Sequence, residues 1–331
     1  MDPVTQTLTA LSLSEAGFKR KTRDATLALL VAANLADLDV VSRAWGKLAY
    51  LQFHRGPADS LLGTTLLGAL TAGVIYALRK NRPPARHAPP LNAKWLLLGC
   101  WAAAGSHLLL DLANSYGVQL FWPWSARWYA ADIEFATDPV LLALLLVGLG
   151  LPALLRLVSE EVGARRGSMQ SGALVALALV AGLLSLRWAS HRRALTALQS
   201  RTYHGQEAEA VAAFPTLANP FEWIGVAETP TAIEVAPINS LNGELDTESE
   251  RIYYKPNPSA PLRAALKTRT LKVFMSFARF PWARVRSSRS GWVVTVQDLR
   301  FVAPGTDRKP MSAQVRLNKN LRVLSQTLRL K

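Results

Sequence analysis

Apolar residues fall into long unbroken runs over the first 190 or so positions of this chain and into short alternating runs after that. Stretches rich in Leu, Ala and Val occupy Ser60–Leu78, Trp95–Leu110, Pro139–Leu155 and Gln170–Leu186. Each is about as long as the roughly 17–25 apolar residues that cross a hydrocarbon core as a helix, so the pattern predicts about four full spans. A shorter apolar stretch, Ala25–Ala36, ends in Asp37 and Asp39. With Pro3–Gly17 it reads as a pair of half-length helices packed around a Lys19–Arg23 turn. Between the second and third full spans, Tyr116, Trp122, Trp124, Trp128 and Tyr129 crowd one loop, as amphipathic rings do at a membrane–water boundary.

Beyond about His191 the apolar runs shorten and Pro, Asn and Thr appear. Alternation predicts strands at Ile233–Ala236, Leu271–Phe277, Trp292–Val296 and Met311–Leu317. Pro256–Pro261 is turn-like and Leu262–Lys267 reads as a short helix. The expected fold is thus an α-helical membrane domain over residues 1–190, with about four spans and N-terminal half-helices. A small soluble basic α+β domain, mainly antiparallel β, follows over residues 191–331. No internal repeat is present.

Composition agrees with a bilayer. Of 331 residues 50% are hydrophobic and only 18% charged, against about 25% charged in ordinary soluble domains. Cys100 is the single cysteine, which excludes an intrachain disulfide and a cysteine-cluster metal site. Met1–Thr5 shows no basic segment ahead of an apolar run, so no cleavable signal peptide is expected.

The net charge of +15 could suggest a nucleic-acid partner, but its distribution points to topology. The segments Phe18–Asp24, Arg79–Lys94 and Arg156–Met169 hold twelve Lys and Arg residues, Arg165 and Arg166 among them. Those expected on the opposite face, Val40–Asp59 and Leu112–Asp138, hold only Arg43, Lys47, Arg55 and Arg127. Lys and Arg accumulate in cytoplasmic loops, so the first set is expected inside. The excess of basic residues from Arg187 onward is explained by attraction to anionic headgroups, without nucleic acid.

Three polar clusters interrupt this apolar pattern: Asn34–Asp39, His54–Ser60, and His107–Asp111 with Asn114. On a helix, residues four apart share a face, so His107 and Asp111 could ligate one cation, with zinc, manganese or iron suiting that pair. Asp37, His54, Asp59, His107 and Asp111 all fall at the outer ends of their segments, where they could converge on one cavity. The bland alternatives are a hydrogen-bonded His107–Asp111 pair, a helix end meeting water at Asp37 and Asp39, and a surface ion pair between Arg55 and Asp59. His87, His191 and His204 read as solvated or interfacial.

At these residues the chain resembles the YdjM-like family of bacterial inner-membrane, metal-dependent hydrolases. The family pattern Asp-Pro-x-Thr-His meets Asp2–Gln6, Pro-Asp-x-Asp meets Ala36–Asp39, and His-Arg-Gly-x-Thr-His-Ser meets His54–Ser60. His-x3-Asp meets His107–Asp111, followed by Asn114-Ser115-Tyr116-Gly117. Asn219–Trp223 and Phe280–Trp282 also look like its members. Two family histidines are replaced, by Gln6 and Asp59.

The resemblance implies a phospholipase-like hydrolase of a lipid-linked ester or phosphoester, in the bacterial inner membrane. Its divalent ion, zinc or manganese, would be held by His54, Asp59, His107 and Asp111. Asp37 or Asp39 would be a further ligand or general base, and Arg55 would neutralise a substrate phosphate. Expected partners are membrane lipids and a lipid or small-molecule substrate. The loss of both histidines leaves an alternative open: a catalytically degenerate membrane protein whose outer domain binds a partner or lipid headgroups. A proton path through His107 and Asp111 would need polar residues continuing through the spans, and these are scarce.

The charge bias also has a direct test. Reporter fusions at Arg86 and at Gly243 are expected to report opposite sides of the membrane, Arg86 cytoplasmic and Gly243 periplasmic. Cytoplasmic signal from both would overturn the assignment of the last span.

Overall fold

The computed structural model describes residues 1–331 except 85, 87, 163–167, 303–309 and 331. His87, Arg165, Arg166 and Gly167 therefore lie outside the described residues. The chain forms two compact units, Met1–Val40 with His54–Arg187, and Val41–Phe53 with Trp188–Lys331. The first eight helices are α1 (Pro3–Leu13), α2 (Lys19–Lys21), α3 (Ala25–Asn34), α4 (Lys47–Phe53), α5 (Leu61–Arg79), α6 (Ala93–Ala113), α7 (Pro139–Val162) and α8 (Met169–Gln199).

The second unit begins in the last turns of α8. Ala194 and Leu198 pack there on Ala213, Trp223 and Ile238 of an antiparallel sheet. That sheet runs β3 (Ala210–Pro215), β4 (Glu222–Glu228), β5 (Ala232–Asn239) and β6 (Glu244–Leu245), with β7 (Arg251–Tyr254) also pairing with β5. A two-residue hairpin, β1 (Thr202–Tyr203) and β2 (Gln206–Glu207), precedes it. Then come α9 (Ala260–Leu266), α10 (Arg269–Phe277) and a four-stranded sheet in the order β11-β10-β9-β8. Its strands are β8 (Pro281–Ser288), β9 (Gly291–Asp298), β10 (Ser312–Asn318) and β11 (Val323–Arg329).

Two expectations for this unit change. The strand expected at Leu271–Phe277 is helix α10, because the residues it buries, Thr270, Leu271, Phe274 and Phe277, repeat at helical rather than strand spacing. His191, expected to be solvated, is buried: its Nε2 donates to the Ala213 carbonyl at 3.0 Å and its ring lies against Trp223. His204 is exposed, as expected, and pairs with Glu234 at 2.9 Å. The helix expected at Leu262–Lys267 is α9, capped by Ser259, whose Oγ accepts from Leu262 N.

Five segments among the described residues are long and apolar enough to cross a membrane: Ala25–Trp45, Leu61–Arg79, Ala93–Ala113, Pro139–Leu157 and Met169–Gln199. Four are the expected spans. The fifth arises because a 3-10 segment, Ala36–Trp45, prolongs α3 past the stretch expected to be half-length. The side assigned to each loop is unchanged, since Lys19–Arg23 and Val40–Asp59 already lay on opposite faces. In the second unit α4 packs on α10 and β11, so Val41–Phe53 and the C-terminal domain share one side of the membrane. An even number of crossings between them, α5 to α8, satisfies this.

In the first unit α6 is the central helix. Of its apolar window 56% is buried, against 22% for α5 and 17% for α7. Ala25, Ala28, Leu29, Ala32 and Ala33 of α3 pack on Leu96, Cys100 and Ala103 of α6, and the alanines among them let membrane helices approach closely. Outward-facing positions are apolar instead, with Leu66, Leu70, Val147 and Leu154 exposed. Helix α7 meets α8 through Gly172, where an added Cβ would lie 2.3 Å from Pro152 Cγ and 2.4 Å from the Gly148 carbonyl oxygen. Helix α1, at 11 residues, is too short to be a span, and it turns Thr5, Gln6, Thr9 and Ser12 inward.

Arg187 of α8 is fully buried with two acids from the segment ahead of α7. Its Nη1 lies 3.3 Å from Glu134 Oε1, and its Nη2 donates to Asp138 Oδ2. Asp138 also caps α7, accepting from Val140 N at 2.8 Å and Leu141 N at 3.0 Å. One guanidinium cannot neutralise two buried carboxylates. Burial pushes the Glu134 carboxyl up to about 8, opposed by Arg187 and reinforced by Asp138.

Because its ordinary value is 4.5, the folded protein holds a proton between about 4.5 and about 8 that the unfolded chain releases. Stability therefore falls as pH rises through that window. Thermal unfolding of the detergent-solubilised protein is expected to show this fall, roughly 2–4 °C for each kcal/mol lost, and Glu134→Gln is expected to flatten it. An equally steep fall in Glu134→Gln would locate the titrating group elsewhere.

Candidate metal centre

Three chain segments bring polar side chains to one end of α6. On α6 itself, His107 and Asp111 are one turn apart and face inward, each only 1% exposed. Helix α3 supplies a carbonyl. The last turn of a helix leaves carbonyls without helical partners, and Ala33 O, in that turn, faces His107 Nδ1 at 2.6 Å. A carbonyl only accepts, so Nδ1 carries the proton and the lone pair of the neutral ring sits on Nε2.

The third segment, His54–Ser60, enters through a left-handed residue, Arg55, with φ 57°. Ser60 caps α5, its Oγ accepting from Gly63 N at 2.9 Å and donating to Pro57 O at 2.9 Å. This loop folds so tightly on the first turn of α5 that a Cβ at Gly63 would lie 2.0 Å from Pro57 O. Asp59, just before the cap, is thereby held against His107 with its Oδ1 3.0 Å from Nε2.

Around His107 Nε2 the acids converge. Asp111 Oδ2 lies 3.7 Å away and Asp37 Oδ1 3.9 Å away. Ligand atoms of Asp59, His107 and Asp111 all lie within 4.8 Å of one another. Asp59 Oδ1, His107 Nε2, Asp111 Oδ2 and Asp37 Oδ2 are buried, and although the first three make close ion-pair approaches, none of the four has a partner in hydrogen-bond geometry among the described residues. A lone pair aimed at carboxylate oxygens in a buried site is costly unless a proton or a metal cation lies between them. Two carboxylates and an imidazole locked by its other nitrogen are a donor set that fits a divalent ion.

The other expected residues surround this group. His54 is turned to Asp39, its Nδ1 2.8 Å from Asp39 Oδ1, and it is not one of the three converging residues. Asp39 Oδ2 also accepts from Arg55 N at 2.7 Å, so Asp39 holds the loop. Arg55 itself is buried: Nη2 donates to Asp111 Oδ1 at 3.1 Å, Nε lies 3.1 Å from Oδ2, and the guanidinium sits over the Tyr116 ring. Gln6 of α1 also reaches this group. Its Nε2 donates to His107 O at 3.3 Å and to Asp111 Oδ1 at 3.4 Å, while Oε1 is buried without a partner among the described residues. The Met1 amino group also donates to Asp111 Oδ1.

Sequence reasoning missed the Ala33 carbonyl, the Met1 amino group and the Tyr116 ring. The first two are main-chain groups that no residue type announces. Tyr116 lies in the Asn114-Ser115-Tyr116-Gly117 stretch, and Asn114 Oδ1 accepting from Tyr116 N at 2.8 Å sets its position.

Residues 1–194 match the family described as YdjM inner membrane protein. The chain belongs to that family. It is a multi-span membrane protein, and the YdjM match covers both helices and polar loops of the site. Residues 261–329 match the YfhP C-terminal alpha/beta plait domain, the segment folded here as α9, α10 and the four-stranded sheet. The chain is similar to "Uncharacterized protein YfhP" of Bacillus subtilis (strain 168), 24% identical over 115 residues. That similarity covers 34% of this chain and 32% of the relative, about a third of its length. No solved structure matches the chain.

Proposed function

We propose that this YdjM-family protein is a membrane-embedded, metal-dependent hydrolase of a lipid-linked ester or phosphoester. The observation that supports this most is the convergence of buried Asp59, His107 and Asp111, which each bring a ligand atom within 4.8 Å of the others. Those three residues would hold zinc or manganese. A divalent ion at such a site supplies Lewis acidity toward an ester or phosphoryl oxygen and a source of hydroxide near neutral pH.

The chain's own groups account for the remaining tasks. Ala33 O and Gln6 orient His107 and Asp111. Arg55 fixes both oxygens of Asp111 and places a buried positive charge beside the site, suited to a phosphate. Asp37, with Oδ2 unpartnered among the described residues, is the proton acceptor in this reading. Asp39 positions Arg55 and His54 rather than meeting substrate. The basic-residue bias supports placing the site and the C-terminal domain on the periplasmic face.

A second reading rests on Gln6: an amide stands where the family has an imidazole, and a structural cluster in a degenerate enzyme would look similar. Metal analysis of the detergent-purified chain separates them. Stoichiometric zinc or manganese is expected, lost in Asp59→Ala and His107→Ala and retained in His54→Ala, whose ring is held by Asp39. Gln6→His should strengthen zinc relative to manganese. Asp37→Asn should keep the metal while lowering hydrolysis about 10²–10⁴-fold. Metal content unchanged in Asp59→Ala sinks the hydrolase reading.

A further inference from the structure

The plait at the end of the chain has one covered and one open sheet face. Successive residues of a strand point to opposite faces. Val294, Val296, Ala313 and Val315 are buried on the face against which α9 and α10 pack. The opposite face carries the partners in register. One row joins Arg284 to Thr295, Gln314 and Thr327, and the next joins Arg286 to Val293, Arg316 and Ser325. A third row runs from Trp282 of β8 through Gln297 and Ser312 to Arg329 of β11. Its Trp282 end is covered by β7, the ring lying against Tyr253 and Nε1 donating to the Tyr254 carbonyl at 2.8 Å. The open area is therefore the first two rows and the Arg329 end.

The four arginines of this face, Arg284, Arg286, Arg316 and Arg329, are all exposed. The three rows contain no acid. The arginines stand opposite Thr295, Val293, Ser325 and Ser312, not opposite one another, so the face carries uncompensated positive charge to which an anionic surface is complementary. Between residues 261 and 329 the chain carries 15 Lys and Arg against Asp298 and Asp307. Asp298 offers no compensation, being fully buried and bound to Arg300 at 2.7 Å.

We propose that this open face docks on anionic phospholipid headgroups. Two observations favour lipid over nucleic acid. The domain is joined to a candidate span through one uninterrupted helix, α8, so a bilayer surface is always present at high effective concentration. Recognition of single-stranded nucleic acid on an open sheet uses aromatic rings on its central strands. Here those positions hold Val293, Thr295, Gln314 and Arg316, and Gln314 Nε2 donates to Thr295 Oγ1 at 3.1 Å. This surface is independent of the metal centre.

The test uses the full chain with Ser325→Cys, labelled with an environment-sensitive dye. Cys100 is buried and should stay unlabelled. Reconstituted in nanodiscs containing phosphatidylglycerol, the dye is expected to shift to shorter wavelength relative to phosphatidylcholine discs. The shift should vanish at about 0.5 M salt, where screening shortens to a few ångströms. Each basic residue near an anionic surface contributes about a fivefold preference. Combining Arg284→Gln, Arg286→Gln and Arg316→Gln should thus weaken docking about a hundredfold and remove the shift. Identical emission in the two lipids, or a shift that survives the triple replacement, overturns the proposal. So does a larger response to single-stranded RNA than to anionic lipid.

Discussion

Burying carboxylates at the end of a membrane helix is expensive, and much of the first unit can be understood as an answer to that cost. Asp59 and Asp111 are each 1% exposed and share one imidazole. Asp111 is surrounded by donors from three segments: Gln6 of α1, Arg55 of the α4–α5 loop and the Met1 amino group. Asp59 has no such company. Among the described residues its only ion-pair partner is His107, whose remaining lone pair cannot satisfy it unless a proton or a cation intervenes. The asymmetry between two acids so close together is what makes the site chemically legible.

Around that end the bundle is arranged as lipid demands. Small residues of α3 and α6 bring two backbones close enough for the Ala33 carbonyl to reach His107, while leucines and valines face outward. Polar side chains of α1, a helix too short to span, turn inward instead. A second buried charge group, Arg187 with Glu134 and Asp138, lies in the same unit. It ties α8 to the start of α7 and resolves its excess of acid by keeping Glu134 protonated at neutral pH.

Much of this was legible in the residue pattern, because a bilayer imposes long apolar runs that no soluble fold requires. The spans followed directly, except that Ala25–Ala36 looked too short: the 3-10 continuation to Trp45 includes Asp37, Asp39 and Arg43, which break the run. In the second unit Leu271–Phe277 contains apolar residues at both two- and three-to-four-residue spacings, and only the packing of Phe274 and Phe277 selects the helix. His191 was misjudged since one buried carbonyl, that of Ala213, decides its environment. The polar clusters at Asp37, Asp59, His107 and Asp111 could be singled out by their cost in a membrane. The pairing of His54 with Asp39, rather than with the other acids, depends on a left-handed turn at Arg55 that composition does not encode.

Helix α4 belongs to the second unit although it precedes four of the spans in sequence. Its partners α10 and β11 start at Arg269 and Val323. During synthesis α4 emerges early and must wait while α5 to α8 are inserted and more than half of the chain is made. Until then the buried face around Leu51 has nothing to cover it. Closure over so long a stretch is entropically costly and slow relative to local helix pairing. The C-terminal domain therefore finishes a structure begun near the other end, and a chain released before α10 would carry α4 as an exposed, unpartnered helix.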